Sequence, residues 1–131
     1  MQGCQVVAAM AGKSVEVEFV DEEKRASKEF KAINMTGKFP CLETEHGHIN
    51  ETAAIMKFFA HDHASLLGTN NVEKAKVDQW MFWAATSVPS IYPALKGIFG
   101  WAEVTQAEFN ESNKAIKELL KVVWNDAVLH A

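Results

Sequence analysis

The chain has 131 residues, 48% of them hydrophobic and 23% charged, with a net charge of −4. That is one globular domain, or two small lobes sharing a core, and the composition excludes a disordered or fibrous chain. The acidic balance with no basic run excludes a nucleic-acid backbone binder, and no apolar stretch reaches the roughly eighteen residues of a membrane span.

Residues 3 to 11, rich in alanine and methionine, favour a short helix stopped by Gly12; a strand turning back at Gly12-Lys13 is the alternative. Residues 14 to 20 set Val15, Val17 and Phe19 against Glu16 and Glu18, the period of a half-buried strand with an edge-like acidic face. Asp21 caps an expected helix running to about Ala32, with Glu22 and Glu23 in its first turn. The loop from Asn34 to Gly37 then leads into Phe39-Pro40. A proline at a strand's mouth costs no ladder bond and is often cis in such turns.

Cys41 to Thr44 reads as a short strand, His46-Gly47 as a tight turn, and His48-Ile49 as a second strand. It runs into a helix opened by Asn50-Glu51-Thr52. Asn50 or Thr52 can accept from the amides of the first turn, and Glu51 suits the positive end of the dipole. Backbone groups beside a helix N-terminus make an anion site. The helix places Ala54, Ile55, Phe58 and Phe59 on one expected buried face and ends near His61-Asp62-His63. Residues 64 to 71 read as a linker between lobes 1–64 and 70–131.

The remainder reads as helical. Asn70 and Glu73 form a capping signal for a helix carrying Val77, Trp80, Met81 and Ala84. Pro89 and Pro93 interrupt it, and Gly97 and Gly100 bracket a break near Trp101. Thr105 and Glu108 form a second capping pair, followed by a stripe of Phe109, Ile116, Leu119, Val123 and Ala127. Two long antiparallel helices are the expected content of this lobe.

The order lysine, apolar residue, proline, Leu42-Glu43, hairpin, Glu51-Thr52-Ala53-Ala54-Ile55 resembles the glutathione transferases. The resemblance implies an α/β fold: a thioredoxin-like lobe of the transferase N-terminal type, then a short all-α lobe of the C-terminal type. It also implies that Phe39, beside Pro40, holds the cysteinyl part of glutathione through its backbone, and that Glu51 and Thr52 hold the γ-glutamyl end. Counting back from Gly12, the family's catalytic Tyr, Ser or Cys falls near or before Met1, so the first strand and that residue are expected to be missing. The chain then reads as truncated at both ends relative to the family. Residues 76 to 95, led by Gln79-Trp80 and carrying Pro89 and Pro93, resemble the gamma subunit of elongation factor 1.

Two functions follow as expectations. One is a non-catalytic, cytoplasmic interaction module, a scaffold subunit of an elongation factor 1 or aminoacyl-tRNA synthetase assembly. Its partner would be protein, as a homodimer or hetero-oligomer, without nucleic acid or membrane. The other is a transferase conjugating glutathione to electrophiles, or else a structural subunit of another large complex. No catalytic residue, metal or cofactor is expected beyond glutathione itself. Cys4 and Cys41 are expected as reduced thiols, small and packed rather than reactive. His46 with His48 and His61 with His63 have metal-like spacing but lack a third ligand. Four tryptophans exceed what so short a core needs, and Trp80, Trp83 and Trp124 are the residues expected to meet a partner.

Overall fold

Alanine and methionine in the first stretch form helix α1 (Gln2–Met10), and Gly12 closes it at φ 65°. The amides of Gly12 and Lys13 donate back to the carbonyls of Ala9 and Ala8 at 3.0 and 2.8 Å. The structure is a computed structural model that describes residues 2–129, with side chains as far as Asp126.

The expected strand at residues 14 to 20 does not form. Among the described residues the only ladder joins β1 (Cys41–Thr44) to β2 (Gly47–Asn50), antiparallel. Alternation supplies a face, but a strand also needs a neighbour to take its backbone bonds. Val15 still packs against the core, whereas Phe19 is 83% exposed.

The helix expected from Asp21 to Ala32 is two helices, α2 (Glu22–Ala26) and α3 (Lys28–Ile33). Asp21 caps α2 by accepting from the Lys24 amide at 2.7 Å. Ser27 breaks the run: its ψ of 154° leaves the helix, and its hydroxyl accepts from the Phe30 amide at 3.1 Å to start α3. A serine that can bond its own neighbours competes with the helix interior and wins at a cap.

Helix α4 (Thr52–Ala60) crosses α1, and residues four apart on each supply the core: Cys4 and Ala8 against Ile55 and Phe59. That stripe is narrower than expected, so Ala54 and Phe58 lie exposed beside it. Leu42 and Ile49 cover the same core from the hairpin. The expected linker contains a short helix, α5 (Ala64–Leu67), ended by Gly68 at φ 87°. A methyl group at Gly68 would overlap Glu73, so glycine is required there.

The chain divides into two compact units, residues 1–78 and 79–131, with the division inside α6 (Asn71–Ser87). In the second unit a 3-10 turn at Val88–Ile91 absorbs Pro89. Helix α7 (Tyr92–Phe99) takes Pro93 in its first turn and ends at Gly100, φ 67°; Gly97 lies inside this helix rather than at a break. Helix α8 (Gln106–Leu129) packs on α7, where small residues, Ala94 and Ser112, are buried. Phe109, Ile116 and Leu119 are half-buried, but Val123 is exposed because α8 far outruns α7. The Ala127 side chain lies outside the described residues. No helix among the described residues is long and apolar enough to cross a membrane.

Candidate functional site

Hairpin register assembles the site. Cys41 pairs with Asn50, so Phe39-Pro40, just before β1, and Glu51-Thr52, just after β2, leave the same end of the hairpin. The Phe39-Pro40 peptide is cis.

The loop that presents Phe39 is built on Asn34, a residue whose role sequence reasoning missed. It is fully buried at 0% exposure. Its amide donates to the Lys38 carbonyl at 2.7 Å and its carbonyl oxygen accepts from the Thr36 hydroxyl at 2.8 Å. The Thr36 hydroxyl in turn accepts from the Lys38 amide at 3.2 Å, and the Gly37 amide donates to the Asn34 carbonyl at 3.1 Å. Arg25 fastens the outside, its Nε donating to the Gly37 carbonyl at 2.9 Å while its guanidinium lies 5.8 Å from the Phe39 ring centre. Phe30 meets the same ring at 5.5 Å. An asparagine directly after a helix, ahead of a glycine turn, was the available signal.

Across the hairpin end, Glu51 adopts φ 76° and ψ 126°, the one positive-φ residue other than glycine among those described. Such a backbone costs on the order of 1–3 kcal/mol and persists where surroundings fix it. Its carbonyl accepts from the Ile55 amide at 3.0 Å, so it stands at the N-cap position, yet its side chain makes no capping bond. The expected cap from Asn50 or Thr52 is also missing. Asn50 lies on β2, where its amide donates to the Ile33 carbonyl at 3.4 Å and its buried Oδ1 has no hydrogen-bond partner among the described residues. The first-turn amides of α4 therefore stay free of side-chain acceptors, beside the exposed Glu51 and Thr52. Free amides at the positive end of a helix suit a carboxylate.

Neither thiol is poised for attack. Cys4 sits in the core, 3.8 Å from the Thr52 carbonyl, and burial raises its pKa above 9.0. Burial, followed by the charge of Glu43, raises Cys41 likewise. Both stay protonated near neutrality, and the thiolate is the nucleophile. His46 lies in the hairpin turn and His48 on β2, both exposed, while His61 turns to the Phe58 carbonyl at 3.2 Å. No group of three or more metal-ligating side chains occurs among the described residues.

The tryptophans lie in the second unit, away from these anchors in sequence. Trp80 and Trp83 are half-buried and meet edge to face at 5.1 Å. Trp124 is 70% exposed, as is Trp101, which stacks on the exposed Phe99 at 4.9 Å. Sequence reasoning placed Trp101 at a helix break and did not single it out as a contact residue.

The fold is found among solved structures. A theta class glutathione S-transferase from Xanthomonas axonopodis pv. citri, with glutathione bound, superposes with a TM-score of 0.83 at 24% identity, covering 98% of this chain and 64% of that one. The fold is that of the glutathione transferases. Residues 1–61 match the family model "Glutathione S-transferase, N-terminal domain", so the first unit is a thioredoxin-like lobe and the second a helical lobe. In sequence, the chain of this transferase-like protein is similar to elongation factor 1-gamma of Artemia salina, 32% identical over 123 residues, and to elongation factor 1-gamma 2 of Oryza sativa subsp. japonica, 31% identical over 110. Those alignments take in 87% and 77% of this chain, which spans only 28% and 26% of the two relatives' lengths.

Proposed function

We propose that the chain is a transferase-like module of the elongation factor 1 gamma type, a non-catalytic surface on which protein subunits of a cytoplasmic translation complex assemble. The observation that carries this reading is the 32% identity to elongation factor 1-gamma sustained across 87% of the chain. Its partners are other factor subunits, tRNA synthetase subunits, or a second copy. Half-buried Trp80 and Trp83 and the exposed Trp101 and Trp124 supply large apolar contacts of the kind that anchor interfaces.

The site chemistry agrees with a module rather than an enzyme. Conjugation needs a group that stabilises the glutathione thiolate, and desolvation pushes both thiols of this chain toward the protonated form. A second reading, a glutathione transferase, is favoured by Glu51. Its positive-φ backbone and free side chain are a cost without a capping return. In that reading the Phe39 backbone beside Pro40, together with Glu51 and Thr52, holds glutathione.

A conjugation assay with an aromatic electrophile, run beside titration calorimetry with glutathione, separates the two. The module reading expects no turnover above the uncatalysed rate, whether or not glutathione binds. Turnover that falls together with binding in the Thr52→Ala variant would establish the transferase instead.

A further inference from the structure

The geometry points to Ser27 as the phosphate acceptor of a protein kinase that reads basic residues, with phosphorylation releasing the loop that carries Phe39; this stands independently of the translation reading. A kinase of that class takes cations placed two and three residues before the acceptor into acidic pockets, with the acceptor extended across its cleft. Lys24-Arg25-Ala26-Ser27 supplies both cations, and no other serine or threonine of the chain has a lysine or arginine at either position. The backbone already suits the cleft: Ser27 stands between α2 and α3 at φ −62° and ψ 154°, an extended conformation. Opening the five residues of α2 costs little, because none of them is buried. The basic side chains are held by exposed ion pairs, Lys24 with Glu18 and Arg25 with Glu22, and pairs of that kind hold weakly.

In the transfer, Ser27 Oγ forms a bond to the γ-phosphorus of ATP as the bond from that phosphorus to the β–γ bridging oxygen breaks. ADP leaves, and the hydroxyl proton passes to the kinase's catalytic aspartate. The ester oxygen can no longer donate to the Lys24 carbonyl, the 2.7 Å bond that ties Ser27 to α2. The new charge lies two residues from Arg25, the chain's only arginine. That side chain donates from Nε to the Gly37 carbonyl at 2.9 Å and lies over the Phe39 ring. A phosphate is a stronger acceptor than a peptide carbonyl and matches the guanidinium fork with two oxygens at once. The other nearby cation of the motif, Lys24, is already paired with Glu18. Phosphorylation therefore draws Arg25 off the Gly37 carbonyl and unfastens the Phe39 loop on its outer side.

Incubating the purified chain with ATP and the catalytic subunit of cyclic AMP-dependent protein kinase tests the acceptor, in protein whose far-ultraviolet circular dichroism is native. Mass spectrometry should find a phosphoryl group on Ser27 and none in Ser27→Ala, and Arg25→Gln should slow labelling at least about tenfold. Amide hydrogen exchange of the phosphorylated protein tests the release. The Gly37 to Phe39 amides should exchange at least about threefold faster than before phosphorylation, with the α4 amides unchanged. Unphosphorylated Arg25→Gln should show the same gain at the same amides. Native protein left unlabelled, or labelled on another residue ahead of Ser27, would overturn the proposal. So would a phosphorylated Ser27 that leaves exchange at Gly37 to Phe39 unchanged, since Arg25 would then still hold the loop.

Discussion

Asn34 and Glu51 hold the two sides of the candidate site by opposite means. Asn34 spends its buried amide on the loop before Phe39, so its loss strands the Lys38 carbonyl and opens a cavity at once. Asn34→Ala should cost about 2–3 kcal/mol in urea unfolding with the slope unchanged. Glu51 behaves in the reverse sense. Glycine accepts its φ of 76° without a Cβ penalty, so Glu51→Gly should stabilise the fold by about 1 kcal/mol. A destabilised Glu51→Gly protein would mean that the side chain supports the structure after all. The sequence offered a turn signal at Asn34 but none for the backbone of Glu51. A formula of residues gives no torsion angle, and an asparagine in a polar loop looks like any other until burial is known.

At the scale of elements, the caps that open α6 and α8 are local features and were the most legible. Asn70 accepts from the amides of Val72 and Glu73 at 3.0 Å each, while Glu73 reaches back to the Thr69 amide at 2.6 Å. Thr105 and Glu108 bond reciprocally at the start of α8, at 2.7 to 3.3 Å. Each carboxyl is held below its ordinary 4.5, Glu73 first by the Thr69 amide and then its hydroxyl, Glu108 first by the Thr105 hydroxyl and then its amide. A lowered folded-state pKa means that the unfolded chain binds more protons, so the stabilisation is full above 4.5 and is lost as pH falls through the lowered value. Glu73→Gln with Glu108→Gln should therefore flatten the acid limb of helicity measured by circular dichroism below that pH. An unchanged acid limb would mean that these caps do not titrate as described. Non-local features were harder to read. Residues 14 to 20 have the pattern of a strand but, among the described residues, no strand to pair with, and Ser27 divides a helix that composition alone would continue.

For the whole molecule, the transferase-like fold was legible because the turn, hairpin and helix follow one another within residues 37 to 59. The core on which they rest is small: Ile55 and Phe59 from α4, Cys4 and Ala8 from α1. The exposed aromatics were less legible, since exposure depends on which helices run past one another. Trp101 was not singled out among the four tryptophans for that reason, and Trp80 and Trp83 proved half-buried against each other. An apolar surface of this kind on a transferase-like scaffold is the physical content of the assembly reading.

Sedimentation velocity of the purified protein, alone and mixed with purified subunits of elongation factor 1, tests that reading most directly. The account predicts a faster-sedimenting complex at micromolar concentration, weakened at least about tenfold by Trp101→Ala with Trp124→Ala in a protein that remains folded. A chain that sediments unchanged beside every subunit, and that turns over glutathione with an electrophile, would contradict it.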